Sequence, residues 1–347
     1  MQFQKTDNAS AMTGNIRTIN EDFQVDEIPD FEPSGDGEHA CLKIRKSGQN
    51  TEWTGKQLAD IAGIARRDVS YAGLKDRHAV TTQWFSVWLP GKPSPNWSEQ
   101  LPESIEVLEE VRHHRKVRIG TLRGNRFKLV IRECVCDKAA VDSTIETIRK
   151  QGVPNYFGAQ RFGRDNHNIQ RADAWFSGDI KPKARHQKSM YLSAARSWLF
   201  NHYLSERVGA KTWDSALDGD VFQLDGSNSC FYESLTDTLQ KRVDAFDLHP
   251  TGPMWGLGAL ASRDEVNAAE NRIAAQFSVL SAGLEKHGLK QDRRSLRLMV
   301  PELSHQWLAD DVLELSFRLK PGSYATSVLQ ELGDFTDVNE LNKSSKD

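Results

Sequence analysis

The sequence predicts a fold that mixes α and β in two bodies, with a strand-rich first part, a helical middle and a late strand that returns to the first sheet. Three observations carry this. Period-two alternation marks strands in the first third of the chain, and apolar residues recur at helical spacing from about residue 190 to residue 286. Residues 312–319 (VLELSFRL) then alternate again, with Leu313, Leu315, Phe317 and Leu319 against Glu314, Ser316 and Arg318. A strand this late can join an early sheet, which makes the helical middle an insertion into a discontinuous sheet domain. Two sequential domains fit the periodicity equally. The 347 residues exceed one typical core, so two domains are the natural prior.

The elements follow in order. Residues 22–28 (DFQVDEI) put Phe23 and Val25 on one face of a strand, and residues 41–45 do the same with Leu42 and Ile44. Thr54 and Gln57 form a capping box that opens a helix with Leu58, Ile61, Ala62 and Ala65 on its apolar side. Residues 82–89 read as a strand ending at Pro90, and residues 126–132 (RFKLVIR) as another. Asp137 caps a helix carrying Val141, Ile145 and Ile148, which stops at Gly152. Residues 190–207 and 234–247 are helical. So are residues 264–286, one long helix with Val266, Ala269, Ile273, Phe277, Leu280 and Leu284 on a stripe and a capping box from Ser262 to Glu265. A short helix from about Tyr324 to Leu332 closes the fold.

Apolar residues make up 38% and charged residues 27%, an ordinary soluble balance that excludes a low-complexity or fibrous chain. The net charge of -3 announces no polyanion partner, but the cations are segregated. Val111–Arg126 holds six Lys or Arg and no acid; Lys181, Lys183, Arg185, Lys188 and Arg196 form a second run; Lys290, Arg293, Arg294 and Arg297 form a third. Solvated faces explain any one run, while three together point toward an RNA groove. Cys41, Cys134, Cys136 and Cys230 show no paired CxxC spacing and are expected to be free buried thiols. No apolar run reaches the ~18 residues of a membrane helix. No signal-peptide pattern opens the chain, so a cytoplasmic protein without membrane attachment is expected. The histidines show no zinc-ligand spacing. GLGALA (256–261) follows no apolar strand, so neither metal nor nucleotide cofactor is expected.

Three stretches carry chemistry. In VSYAGLKDRHAVTT (69–82) a single carboxylate, Asp76, stands between Lys75 and Arg77 on a loop between strands. Such a carboxylate suits a nucleophile or general base. Taken alone, an exposed charged turn is the commoner source of such a cluster. In GTLRGNRF (120–127) Asn125 offers a donor and an acceptor, and Phe127 shares its face if the strand begins there. One reads a pyrimidine edge and the other stacks on the base, although a turn followed by a core Phe is the plainer source of this pattern. VPNYFGAQRFGR (153–164) interleaves Tyr156, Phe157 and Phe162 with Arg161 and Arg164, as splayed RNA requires; aromatics docked on a core are the competing reading.

Together NEDFQVDEIP, SYAGLKDRHAVT, LRGNRFKLVIRE, VPNYFGAQRFG, LSAARSWLFN and PGSYATSVLQEL closely resemble the TruD family of tRNA pseudouridine synthases, in the family's order and over nearly the whole chain. The resemblance implies an α+β fold. A pseudouridine synthase catalytic domain with a mixed, mainly antiparallel sheet flanked by helices would span residues 1–150 and 301–347. An α/β insertion domain would span residues 151–300, and the two would form a basic cleft for tRNA. It implies an isomerase acting at position thirteen in the D arm of tRNA, without cofactor or metal and expected to be monomeric. Asp76 stands in the catalytic position. Phe23, Asn125, Phe127 and Tyr324 match substrate-pocket positions, Lys75 is grouped with them, and Arg17 sits where a basic residue is expected to face the carboxylate. The chain departs from the family pattern at Leu74, where a polar residue is common, and at Tyr324, where Phe is more usual. A buried hydroxyl at Tyr324 needs a partner. The carboxylate is expected in a water-poor cavity. Two other classes stay open: a non-catalytic RNA-binding or RNA-remodelling protein using the same basic cleft, and a metal-free glycosidase, which would usually want two carboxylates.

Overall fold

A computed structural model describes residues 3–339 of the chain. They divide into two compact units. One consists of Ala11–Ile145, Val300–Gly322 and residues 333–339; the other of residues 3–10, Glu146–Met299 and Ser323–Leu332.

The first unit is built on a mixed sheet of ten strands among the described residues. Its order is Ser304–Ala309, Val312–Leu319, Leu122–Val135, Phe23–Pro29, Val80–Trp88, His39–Ser47, Ile105–His113. Most neighbours run antiparallel; Phe23–Pro29 and Val80–Trp88 are parallel. Met12–Ile16 lies antiparallel to the long Leu122–Val135 strand and parallel to Gly333–Asp337. The late strand Val312–Leu319 does return to the early sheet, beside Leu122–Val135. Helix Thr51–Ala62 covers one face, over a core of Leu42, Ile44, Leu58, Phe85 and Val87.

Register decides which side chains meet. Val25 lies opposite Phe127 and Glu27 opposite Asn125, while Phe317 and Leu319 lie opposite Phe127 and Asn125 on the other side. Directly opposed residues share a face, so Phe23, Val25, Glu27, Asn125, Phe127 and Phe317 are brought to one side. Gly124 is required here by close approach, because a Cβ would lie 2.5 Å from the carbonyl oxygen of Leu319.

The second unit packs helix Arg185–Gly209 against His167–Ser177, Asp264–Gln276 and Ser278–Lys286. A four-stranded sheet runs in the order Cys230–Tyr232, Val221–Leu224, Leu248–Met254, Asp292–Ser295. The segments 3–10 and Ser323–Leu332, grouped by sequence with the sheet, pack in this unit instead. The Glu331 carboxylate accepts from the Thr6 amide at 3.2 Å, and the Ser327 hydroxyl donates to the Tyr156 carbonyl at 2.9 Å.

Several sequence expectations change. The long helix 264–286 is two helices, broken at Phe277, whose ψ of 48° leaves the helical region while its ring packs on His202 at 4.4 Å. Ser262 does not cap it; its hydroxyl donates to Glu270 at 2.6 Å. The first helix opens at Thr51 under an Asn50 cap, not at Thr54, since Asn50 accepts the Trp53 amide at 2.7 Å. Helix 234–247 shortens to Asp237–Asp244, capped by Thr236. Of the four thiols only Cys41 and Cys134 are buried. Asp137 caps Lys138–Gln151 as expected, accepting from Ala139 at 2.9 Å. Among the described residues no helix is long and apolar enough to cross a membrane.

Gly124→Ala should force the long strand away from Val312–Leu319 and lower stability by about 1–3 kcal/mol. A chemical-denaturation midpoint unchanged from the parent would refute the close-approach argument.

Candidate active site

Asp76 lies on the loop joining Val69–Tyr71 to Val80–Trp88, and that loop is held from beneath by an almost continuous set of bonds. The Lys75 amide donates to Thr51 Oγ1 at 3.0 Å, and the Thr51 hydroxyl donates to Gln83 Oε1 at 2.9 Å. Gln83 Nε2 donates to the Gly73 carbonyl at 3.0 Å. On the other side Arg77 Nε donates to the Gly48 carbonyl at 3.3 Å, and the Gly48 amide to the Ala79 carbonyl at 3.2 Å.

Two buried cations complete the support. Lys75 Nζ donates to Glu27 Oε2 at 2.8 Å, with side chains 6% and 0% exposed, while Glu27 Oε1 accepts the Trp84 amide at 3.1 Å. Lys46, fully buried, donates to the carbonyls of Gln49 at 2.6 Å and Asp76 at 3.3 Å. Burial pushes the Lys46 ammonium down to about 8; Asp76 partly opposes this and Lys75 adds to it.

The carboxylate itself points outward. Its side chain is 58% exposed, which corrects the water-poor cavity expected from sequence. The cations flanking it in sequence do not face it: Lys75 is turned inward to Glu27, so it supports the loop and is not presented to a ligand, and Arg77 is bound to Gly48. The cation at Asp76 is Arg17. Its Nη2 lies 3.5 Å from Asp76 Oδ2, and its Nη1 lies 2.7 Å from Asp337 Oδ2. Arg17 adopts φ 55°, a costly conformation for a residue with a Cβ. Its carbonyl accepts from Asn339 Nδ2 at 2.6 Å.

The Arg17 guanidinium lies 3.9 Å above the centre of the Phe23 ring. Phe23 meets Phe127 edge to face at 6.3 Å, and Phe127 stacks on Phe317 at 5.4 Å and 22°. These contacts bring Phe23, Phe127, Arg17 and Asp76 into one constellation. Phe127 is only 7% exposed, and Phe317 already covers one of its faces. Asn125 shares the strand with Phe127, two residues before it, and its buried Oδ1 has no hydrogen-bond partner among the described residues. Asp22 keeps Phe23 in place by pairing with Arg132 at 2.7 Å and accepting the Ile19 amide at 3.1 Å.

Tyr324 belongs to the other unit. Its ring is partly buried, and its hydroxyl accepts from Arg161 Nε at 3.1 Å, which supplies the partner expected to be needed. Its ring packs edge to face on Phe157 at 5.9 Å, and the Arg294 guanidinium lies 4.1 Å over Phe157. Burial, with Arg161 adding and Tyr324 opposing, pushes Arg294 down to about 10. Tyr156, Phe157 and Phe162 are core residues here, so the reading of this stretch as RNA-facing aromatics gives way to docking on a core. Three members of the third basic run turn inward as well, while Lys290 stays exposed. Arg293 pairs with Glu270 at 2.7 Å, Arg294 binds Asn155 at 2.6 Å, and Arg297 donates to His249 at 3.0 Å.

Sequence reasoning missed Lys46, Glu27, Asp337 and the Phe317 stack. A signal existed for two of them. Lys46 falls in the apolar phase of Leu42 and Ile44, and Glu27 in that of Phe23 and Val25. A charge in the buried phase of a strand marks a paired or functional group. Asp337 and the Phe127–Phe317 contact depend on strand neighbours that no local pattern declares.

Breaking the buried pair by Glu27→Gln strands an ammonium and should cost about 3–5 kcal/mol in denaturant unfolding. A loss below 1 kcal/mol, on the scale of an exposed pair, would show that it is not buried in solution. Lys46 has a folded value below its unfolded one, so its burial is unfavourable throughout the range below pH 8 and is relieved as pH rises toward 10.5. Compared with Lys46→Met, the parent should gain stability across that window, by at most roughly 3 kcal/mol. Parallel stability–pH curves would remove the assignment.

The family model described as tRNA pseudouridine synthase D (TruD) matches residues 4–172 and 167–332. The chain is 46% identical to the tRNA pseudouridine synthase D of Xanthomonas campestris pv. campestris strain B100, over 97% of this chain and 96% of that protein. It is 47% identical to those of Hydrogenovibrio crunogenus, with 90% of each chain covered, and Methylococcus capsulatus, with 93% and 91% covered. The crystal structure of the TruD protein of Methanosarcina mazei superposes with a TM-score of 0.73 over 95% of both chains at 21% identity, which establishes the shared fold. Matched along nearly its whole length by the family model and by relatives at this identity, the chain belongs to the TruD family.

Proposed function

We propose that this chain isomerises uridine to pseudouridine in tRNA, at position thirteen in the D arm, with Asp76 as the catalytic carboxylate. The observation that carries the reading is the accessible carboxylate of Asp76, held by Arg17 at the end of the Phe23–Phe127 ladder. The sheet unit would be the catalytic domain and the Glu146–Met299 body the insertion domain.

The chemistry asks little beyond these residues. The N1–C1′ bond breaks, the uracil turns, C5 joins C1′, and the C5 proton is lost while N1 gains one. Product and substrate are isomers, so no oxidant, reductant or energy source is consumed. The target base must leave its stack at a cost of a few kcal/mol. Asn125, whose Oδ1 lacks a partner, is suited to hold the uracil edge. The exposed carboxylate would be covered by the RNA itself once the nucleotide is extruded. From there Asp76 either attacks C1′ or takes the C2′ proton to give a glycal. Deuterium at C2′ slows only the second route.

Asp76→Asn should lower isomerisation by on the order of 10³-fold or more, as loss of an essential nucleophile or base does, while tRNA affinity stays within a few-fold. The measurement is pseudouridine mapping of tRNA treated with each form. Full activity in the variant would refute the role, and product at a site outside the D arm would refute the position.

A further inference from the structure

We propose that a cavity on the sheet unit, lined by Asp30, Phe31, His113, Lys116, Arg118 and Thr121, binds a second nucleotide of the RNA, distinct from the uridine that is isomerised. The inference rests on the reading above that the substrate is RNA.

The cavity measures about 610 Å³, within the range of sites that enclose a small ligand. Its wall carries two aromatic rings, Phe31 and His113, stacked at 5.5 Å and 28°, and Trp84, outside the lining, meets Phe31 edge to face at 5.8 Å. The backbone amide of Ser34 donates to His113 Nδ1 at 3.2 Å. Burial, with His114 and Arg115, pushes the imidazole below its ordinary value, and an Nδ1 that accepts the Ser34 amide fits the tautomer with its proton on Nε2. A flat wall with a fixed donor suits a base.

The rim is cationic. Among the six Lys and Arg of Val111–Arg126, three are committed. Arg112 donates to the Lys92 carbonyl at 2.9 Å, Arg123 pairs with Asp30 at 2.8 Å, and Arg126 with Glu302 at 3.1 Å. The side chains of Arg115, Lys116 and Arg118 are exposed and have no ion-pair partner among the described residues. Of the acids nearby, Asp30 pairs with Arg123 and Asp36 lies 3.0 Å from His114, while Glu32 is exposed and acts on Arg123. Three uncommitted cations beside an aromatic wall match a phosphate attached to a base.

The loop bearing these cations is anchored, which separates it from a loose basic tail. Val117 is 3% exposed in a small core with Cys41, Ala72 and Trp84, and its amide donates to Ser86 Oγ at 2.9 Å. The Gly120 amide donates to the Ala72 carbonyl at 2.7 Å. Ala72 begins the segment that carries Asp76. The cavity's cationic loop is thus braced on the same segment that carries the carboxylate.

The test titrates the full chain with uridine 5′-monophosphate, inorganic phosphate and uridine while recording the His113 ring resonances by NMR. The monophosphate should shift His113 and bind at least tenfold more tightly than phosphate alone. Lys116→Gln with Arg118→Gln, both at exposed positions, should weaken it about tenfold, as should Phe31→Leu, while Asp76→Asn should leave it unchanged. No His113 response, a response unaffected by the Lys116/Arg118 pair, or equal affinity for phosphate alone would overturn the proposal. Pseudouridine formation on intact tRNA is scored separately. Product without a His113 response overturns only the cavity, and a response without product overturns only the proposed function.

Discussion

The buried ion pair between Lys75 and Glu27 is the joint on which the site depends. Glu27 belongs to a sheet strand and also accepts the amide of Trp84 from the parallel neighbour, so one carboxylate ties both strands to the loop that carries Asp76. Desolvating both charges brings little net stability, yet it makes one geometry far better than its alternatives. With Lys75 drawn inward, its neighbours Leu74 and Asp76 face water on either side. The exposure of Asp76 follows from the burial of its neighbour.

Support of the loop and the surroundings of its carboxylate are thereby divided among different residues. Lys46, Thr51, Gln83 and Glu27 are shielded from water and determine where the loop lies. Arg17, Phe23 and Phe127 determine what the carboxylate faces, through a guanidinium laid on one ring and a second ring against the first. The two groups meet at the sheet register, which places Glu27 opposite Asn125 and Val25 opposite Phe127. A one-residue slip would separate them.

Much of this was legible in the amino-acid order. The strands at Phe23, Leu42 and Leu313 announce themselves by alternation, and their late partner returns to the early sheet as the pattern suggested. The Asp76 motif lies on the expected loop. What stayed hidden was non-local. The arginines of the third basic run and the VPNYFGAQRFGR aromatics look like RNA-binding features in one dimension, yet Glu270, Asn155 and the long helix draw them inward. The helical stripe through Phe277 keeps its phase across a break made by tertiary packing on His202. Lys46 and Glu27 carried a readable sign, a charge in an apolar phase, whose meaning depends on a partner found only after folding.

Arg17 reaches two acids that differ greatly in when they emerge from the ribosome. Asp76 follows it closely, whereas Asp337 arrives only after the whole intervening body has been made, on a strand whose parallel pairing sets it opposite Ile16. The shorter contact is the late one, at 2.7 Å against 3.5 Å. Until that strand docks, the guanidinium lacks its firmer anchor and the strained backbone at Arg17 has less to hold it. Before the Gly333–Asp337 strand is made, a nascent chain would thus carry every residue of the aromatic ladder without the acid that holds Arg17 most closely.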